Sequence, residues 1–384
     1  MMDVKKRLSL IIIVLVNIAF FIKYLERSTP YYIPLAVLYA ILYLPLYSCR
    51  NAVRSSEWLN KTISLGLILA YFVFSVFLFY KIPQESLNVD RYSVISSFWE
   101  CFFKAEYVYS AKSHLGNLPG PMPFYFILAL PFYLTGELGY FSLCGLLVFA
   151  LLLYYSRVDS KAQLSGILLL VSSAFYLWEV IARSNLFLNS SLILFSIVFF
   201  MASLEWKRQY HILLQGIVIG LLLSTRNVLI IPYIVLFLYS FKNHIYKLLD
   251  FIKIGLVAAL AFCLTFIPFV LNHFSAFLEV NPFIIQSSFL MPTELSLVCI
   301  GITFSSYYFV RKMDDVYFYG GIFLFLCIFV YFLYQCIVHG FQSAFFGSRA
   351  DISYFILCTP FLLFFLLNEQ KGSAEKKNRP DEIA

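Results

Sequence analysis

Charge is scarce in this chain. Only 13% of its 384 residues are Asp, Glu, Lys or Arg, and mean hydropathy is +0.83. That excludes a soluble domain of this length, whose surface would need far more charge to stay in water. The eight cysteines (49, 101, 144, 263, 299, 327, 336 and 358) include no CxxC pair, and most sit inside apolar runs, where Cys acts as a small hydrophobe. A disulfide framework and a thiol metal cage are therefore not expected. No repeat of fixed period is visible, and no small-residue cleavage site follows the opening Met1-Met2-Asp3-Val4-Lys5-Lys6-Arg7 and its apolar run, so that run reads as an uncleaved anchor. The net charge of +7 comes from short basic loops between apolar runs and carries no nucleic-acid signal.

Hydrophobicity dominates what is present. Apolar residues make up 61% of the chain and aromatics 20%, with 43 Phe and 28 Tyr. Apolar runs recur over 8–23, 31–48, 62–81, 138–155, 163–180, 186–203, 209–224, 227–241, 252–272, 293–310, 316–338 and 352–368. The expected fold is an all-α polytopic membrane protein of about twelve transmembrane helices. Residues 1–368 would form one membrane domain, and 369–384 a polar cytoplasmic tail. With the N-terminus inside, 19 of the 28 Lys and Arg residues fall on cytoplasmic segments and nine on outer ones. Phe124–Leu134 is apolar but short and contains Pro131. Counting it as a span would invert everything after it, so it reads as an interfacial or re-entrant helix.

One polar stretch interrupts this pattern, the outer loop 82–137. It carries Val89-Asp90-Arg91-Tyr92, the acids Glu100 and Glu106 on an amphipathic segment, and a run of Tyr, Gly and Pro. A protein that only spans or conducts has little use for about fifty such residues. Other polar groups also gather at the predicted outer ends of spans: Glu179/Arg183, Arg226, Glu279 and Arg349/Asp351. Span centres are nearly free of charge, which weighs against a secondary transporter with buried mid-membrane charges.

Several of these segments resemble the GT-C glycosyltransferase superfamily, multispan enzymes that include polyprenyl-phosphate-sugar-dependent mannosyltransferases and protein O-mannosyltransferases. The residues carrying the resemblance are Asp90-Arg91, Tyr107–Tyr109, Pro119-Gly120-Pro121, Pro123-Phe124-Tyr125 and Gly136. The stretch Gly220 to Asn227 leading into Pro232, and Asp351 to Tyr354 leading into Pro360, are similar too. The resemblance covers the chain from about residue 80 onward. Two spans precede the loop where one is more usual, and the loop has one Asp where an acidic pair is more common.

The resemblance implies inverting transfer of a sugar from a polyprenyl-phosphate donor to a lipid-linked glycan, lipid or protein acceptor. The reaction would take place at the non-cytoplasmic face, and the short loops point to the periplasmic side of a bacterial inner membrane with both termini cytoplasmic. Such chemistry needs a carboxylate to take the acceptor proton and cations to meet the leaving phosphate. Asp90 is the candidate base; the plainer reading makes it a solvated or helix-capping acid. Arg91, Lys112, Arg183, Arg226 and Arg349 are the candidate phosphate contacts, against headgroup snorkelling for each. Arg226 stands out because it lies between two apolar runs with almost no loop. Tyr107, Tyr109 and Tyr125 can stack on sugar rings or belong to the interfacial aromatic belt. The outer His114, His273 and His339 share no ligand spacing with an acid, so no metal ligands are assigned and a cofactor is left open, a divalent metal being the one candidate. A polymerase or ligase of lipid-linked glycan, and a lipid or glycan transporter, are the competing expectations.

Overall fold

The computed structural model describes residues 3–52, 56–289 and 291–368; the predicted tail 369–384 and the cytoplasmic Arg54 lie outside them. Among the described residues the fold is entirely helical. In chain order the helices are α1 (Val4–Leu25), α2 (Tyr32–Ala52), α3 (Glu57–Lys81), α4 (Arg91–Phe103), α5 (Pro123–Leu134), α6 (Gly139–Tyr155) and α7 (Ser160–Val171). They continue with α8 (Ala174–Ile181), α9 (Leu186–Ala202), α10 (Arg208–Leu223), α11 (Ile230–Lys242), α12 (Leu248–Leu264), α13 (Ile267–Val270), α14 (Phe274–Glu279) and α15 (Pro282–Phe289). The last five are α16 (Thr293–Phe304), α17 (Ser306–Phe309), α18 (Met313–His339), α19 (Phe341–Phe345) and α20 (Thr359–Leu367), the last entered through a 3₁₀ turn at Ile352–Cys358.

Four of these helical stretches are long and apolar enough to cross a membrane: Val4–Leu25, Glu57–Lys81, Leu248–Val270 and Met313–His339. The number rises to six if α5 with α6 and α7 with α8 each count as one bent span. Every one of the twelve predicted runs falls on a helix or a broken helix, but several are shorter than the run suggested. Leu186–Ala202 and Arg208–Leu223, for example, rise about 24–26 Å at 1.5 Å per residue, short of a hydrocarbon core of about 30 Å. The predicted continuous run 163–180 is in fact broken, with α7 and α8 meeting at 59°. At α5–α6 the angle is 114°, so α5 folds back across the bundle instead of extending α6. Such a bend is compatible with a broken span as well as with the expected interfacial or re-entrant Phe124–Leu134.

The break at Ser172-Ser173 frees backbone groups that lipid cannot satisfy, and side chains from α1 and α2 take them up. Asn17 Oδ1 accepts from the Ala174 N–H at 2.8 Å, and the Tyr39 hydroxyl donates to the Ser172 carbonyl at 3.0 Å. The Tyr43 hydroxyl donates to the Leu169 carbonyl at 3.0 Å. Close helix approach elsewhere depends on glycine. A Cβ at Gly220 of α10 would lie 2.3 Å from the Ala258 carbonyl of α12, and one at Gly216 would lie 2.7 Å from Val257. This is the small-xxx-small spacing that lets membrane helices pack backbone to backbone.

Large apolar side chains also face outward, including Leu69, Val73, Leu256 and Leu260, all more than half exposed. A water-soluble protein would not present such faces; a lipid-solvated one does. Charged groups collect at the two ends of the bundle. Lys5 at the start of α1 meets Asp315 at the start of α18 (2.6 Å), and Asn368 donates to Asp314 there (3.1 Å). Lys23, eighteen residues and about 27 Å further along α1, lies within electrostatic reach of Asp351. The backbone N–H of Asp351 in turn donates to the Tyr331 hydroxyl near the other end of α18 (2.9 Å). The charge groups separated by the basic-residue asymmetry are thus separated in space as well.

Candidate functional site

The end of the bundle that holds Lys23 and Asp351 also holds the loop 82–137, which has a core of its own. Phe98 of α4 stacks on Phe126 of α5, with Trp99, Tyr109 and Phe269 edge-on around them. Trp99 Nε1 donates to the Phe126 carbonyl at 3.1 Å. The start of α5 docks on residues 224–225: the Met122 N–H donates to the Thr225 carbonyl and the Tyr125 N–H to the Ser224 carbonyl, both at 3.2 Å. This docking sets Tyr125 beside Arg226.

Asp90 precedes α4 but does not cap it; its side chain makes no capping hydrogen bond. Instead Oδ2 accepts from the Ser113 hydroxyl (2.9 Å) and from Asn117 Nδ2 (2.7 Å), both across the loop. Its other oxygen has no partner among the described residues. Beside it, Ser93 Oγ shares a hydrogen bond with His114 Nδ1 at 2.7 Å, and the His114 ring stacks on Tyr92. The helix-capping reading of Asp90 therefore gives way to a carboxylate held by one oxygen and open at the other.

Arg91 turns to the far end of the chain. It forms an ion pair with Asp351 and donates to Ser353 Oγ at 3.0 Å. Asp351 Oδ1 in turn accepts from the Ser353 hydroxyl (2.6 Å) and its N–H (3.0 Å). Burial pushes the Asp351 carboxyl up, but Arg91 and the two Ser353 donors outweigh it and hold the group below its ordinary range. Burial likewise works against the Arg91 charge, yet Asp351, with smaller help from Tyr354, Asp90 and Tyr125, leaves the guanidinium more firmly protonated than usual. An Arg–Asp pair formed across 260 positions of sequence ties the loop to the entrance of the last helix.

Arg226 has no such partner. It is 6% exposed, its Nε is buried without a hydrogen bond, and no ion pair reaches it among the described residues. Its guanidinium lies over Tyr125 (5.4 Å) and Tyr354 (5.8 Å). Around Tyr125 other buried polar groups are also unsatisfied. Asn185 donates to the Tyr125 hydroxyl at 3.1 Å but leaves its Oδ1 idle, and the Asn189 amide, one turn on, is unpartnered. Glu179 accepts from the Phe187 N–H at 2.8 Å through Oε1, while Oε2 is unpaired; the acid is within reach of the Arg226 and Arg91 charges. Native interiors rarely leave so many buried polar atoms unmatched.

The other predicted contacts are placed differently. Arg183 is fully buried and occupied: it donates to both Glu137 oxygens (3.0 and 3.2 Å), to the Ile82 carbonyl (2.8 Å) and to the Ile181 carbonyl (2.7 Å). It also lies 4.7 Å over the Phe79 ring. It pins the base of the loop and has little left to offer a phosphate, which corrects its assignment as a phosphate contact. Tyr107 and Tyr109 are buried in the loop core, donating to the Val280 carbonyl (2.5 Å) and the Pro121 carbonyl (3.3 Å). Burial pushes both phenols well above their ordinary range. They brace the loop, and neither the sugar-stacking nor the belt reading fits them. Lys112 and Arg349 are exposed, as are Glu100 and Glu106. No three His, Cys, Asp or Glu stand together as a metal site among the described residues.

Sequence reasoning assigned no role to Glu179, Asn185 or Asn189, gave Tyr125 only as a candidate stacking residue, and gave Asp351 and Tyr354 only as carriers of the resemblance. Glu179 and Asp351 were visible as acids beside apolar runs; the two Asn residues gave no signal before their neighbours were known. The chain matches no family model, no curated protein and no solved structure.

Proposed function

We propose that the protein is a membrane glycosyltransferase of GT-C type, acting at the outer end of the bundle on a polyprenyl-phosphate-linked sugar. The carrying observation is Arg226. A guanidinium this buried is costly unless an anion meets it, and among the described residues no carboxylate forms an ion pair with it, Glu179 being within electrostatic reach only. A planar fork between two tyrosine rings suits a phosphate oxygen pair. The idle amide and carboxylate atoms around Tyr125 match the donors and acceptors of a sugar.

In this reading the acceptor hydroxyl attacks the anomeric carbon as its proton passes to the open oxygen of Asp90. The bond from that carbon to the phosphate oxygen breaks, the sugar inverts, and the electron pair leaves on the carrier phosphate, where Arg226 meets the charge. Arg91 and Asp351 keep the loop seated over this space. The basic-residue asymmetry favours an outer position for this end, and a bacterial inner membrane with a periplasmic active site fits the short loops. The twelve predicted runs would then form a bundle whose shorter helices cross where protein, not lipid, surrounds them. Acceptors of this class are a lipid-linked glycan, a lipid or a protein.

The decisive experiment incubates the purified protein in lipid with polyprenyl-phosphate sugars and measures free carrier phosphate together with glycosylated product. Donor that stays intact, or that changes leaflet without cleavage, would overturn the reading in favour of a transporter.

Two further results are expected. In a background with Cys101 and Cys263 replaced, a membrane-impermeant thiol reagent on intact cells should label Ser110→Cys and not Glu205→Cys, both of which are exposed sites. The opposite pattern would place the site in the cytoplasm. Arg226→Lys should weaken donor binding about tenfold, since it keeps the charge and loses the two-pronged geometry, and Arg226→Ala should weaken it further. Donor affinity unchanged in Arg226→Lys would leave Arg226 without a donor role.

A further inference from the structure

The opposite end of the bundle carries a second feature that the transferase reading does not use. A cleft of about 410 Å³ opens between the start of α1, α17 and the start of α18, lined by Lys5, Tyr308, Phe309, Arg311, Lys312, Asp315 and Tyr319. Three of the four charged residues lining it are basic. The one acid is already taken: Asp315 accepts from Lys5 Nζ (2.6 Å), the Arg311 N–H (2.8 Å) and the Lys312 N–H (3.1 Å). Lys5 is engaged with it and lies 4.9 Å over the Tyr319 ring. Lys312 is 64% exposed and only loosely paired, 3.8 Å from Asp314. The exposed Arg311 side chain has no partner among the described residues.

We propose that this cleft binds the headgroup of an anionic phospholipid. Arg311 supplies positive charge that no side-chain partner among the described residues balances, and Lys312 is held only by the loose pair with Asp314; an arginine fork with an adjacent ammonium suits a phosphate diester. The aromatic residues sit where a headgroup meets its acyl chains: Tyr308 is 73% and Phe309 53% exposed. Beyond them, the outward side chains Phe304, Ile302, Val298 and Leu297 continue along α16 as an exposed apolar strip, a path for an acyl chain. A free phosphate would use the cations and leave that strip unused. Basic clefts between membrane helices are the usual seats of such lipids. The inference does not depend on which end faces the cytoplasm, nor on the transferase reading.

The test uses the full-length protein in detergent, titrated separately with phosphatidylglycerol, phosphatidylcholine and inorganic phosphate, with bound lipid counted by native mass spectrometry and unfolding temperature followed in parallel. Wild type should retain phosphatidylglycerol in preference to phosphatidylcholine, with a matching rise in unfolding temperature. Each basic residue near a headgroup is worth about fivefold in affinity, so Arg311→Ala with Lys312→Ala should lose roughly 30-fold. Lys207→Ala with Lys253→Ala, exposed basic positions outside the cleft, should keep the preference. Arg311→Ala alone, which removes no internal contact, gives the same reading at about fivefold if the double variant does not fold. The proposal fails if the cleft variants retain phosphatidylglycerol as wild type does, or if the Lys207/Lys253 variant loses it equally. It also fails if phosphatidylcholine competes on equal terms, or if inorganic phosphate gives the whole effect.

Discussion

Asp90→Asn is expected to lower sugar transfer by about 10²–10⁴-fold while the protein folds and inserts normally, the loss typical of a missing general base. The local geometry makes the variant a clean one. Ser113 and Asn117 both donate to Oδ2, and a carboxamide oxygen in that place accepts both bonds. The oxygen that becomes NH₂ is the one with no protein partner, so the substitution removes proton-accepting power at the open position and little else. Donor binding should change far less than turnover if, as proposed, the phosphate contact lies on Arg226. Purified Asp90→Asn with near-normal turnover would make Asp90 a loop-bracing acid. A parallel loss of unfolding temperature would say the same by another route.

Arg183→Met is expected to be the most damaging substitution for the fold, costing about 3–5 kcal/mol, as for any buried ion pair that loses one member. Met matches the length of the stem but leaves the Glu137 carboxylate with only the Gly139 N–H and removes the donors to the Ile82 and Ile181 carbonyls. Arg183 itself sits at a left-handed backbone position (φ 53°) in the turn between α8 and α9, so the turn and the loop base are held by one side chain. The unfolding temperature in detergent, and the amount of protein recovered from membranes, should both fall. The double variant Arg183→Met with Glu137→Gln should fall less than the two single losses added, since the stranded charge is gone. An Arg183→Met protein that unfolds with wild type but binds donor poorly would return Arg183 to the phosphate site.

The contrast between these two arginines shows where sequence stopped being informative. Arg183 and Arg226 are both lone cations at the end of an apolar run, and only the near-absence of a loop at Arg226 sets them apart along the chain. The fold separates them fully: Glu137 pairs with one, and no ion pair forms with the other among the described residues. Tyr107 and Tyr109 make the same point, since an aromatic near an interface reads equally as stacking platform, belt or core until its hydroxyl partner is known.

The membrane class, the helical content and the polar loop 82–137 follow from composition and from apolar runs about as long as a bilayer is thick, because lipid leaves a buried backbone no other way to satisfy its hydrogen bonds. The separation of charge into two ends is likewise written in the positions of Lys and Arg. Tertiary structure decided the rest. Helix length is cut by turns that hydropathy does not register, so four helices, or six with the bent pairs, are long enough to span by themselves where twelve runs were apolar. The break in α7–α8 exists because Asn17, Tyr39 and Tyr43 stand ready to receive the freed backbone groups, and those come from helices more than 120 residues away. Which cation is paired and which is left for a ligand depends on what a side chain meets across the bundle, as with Arg91 and Asp351, and a linear pattern holds no record of that distance.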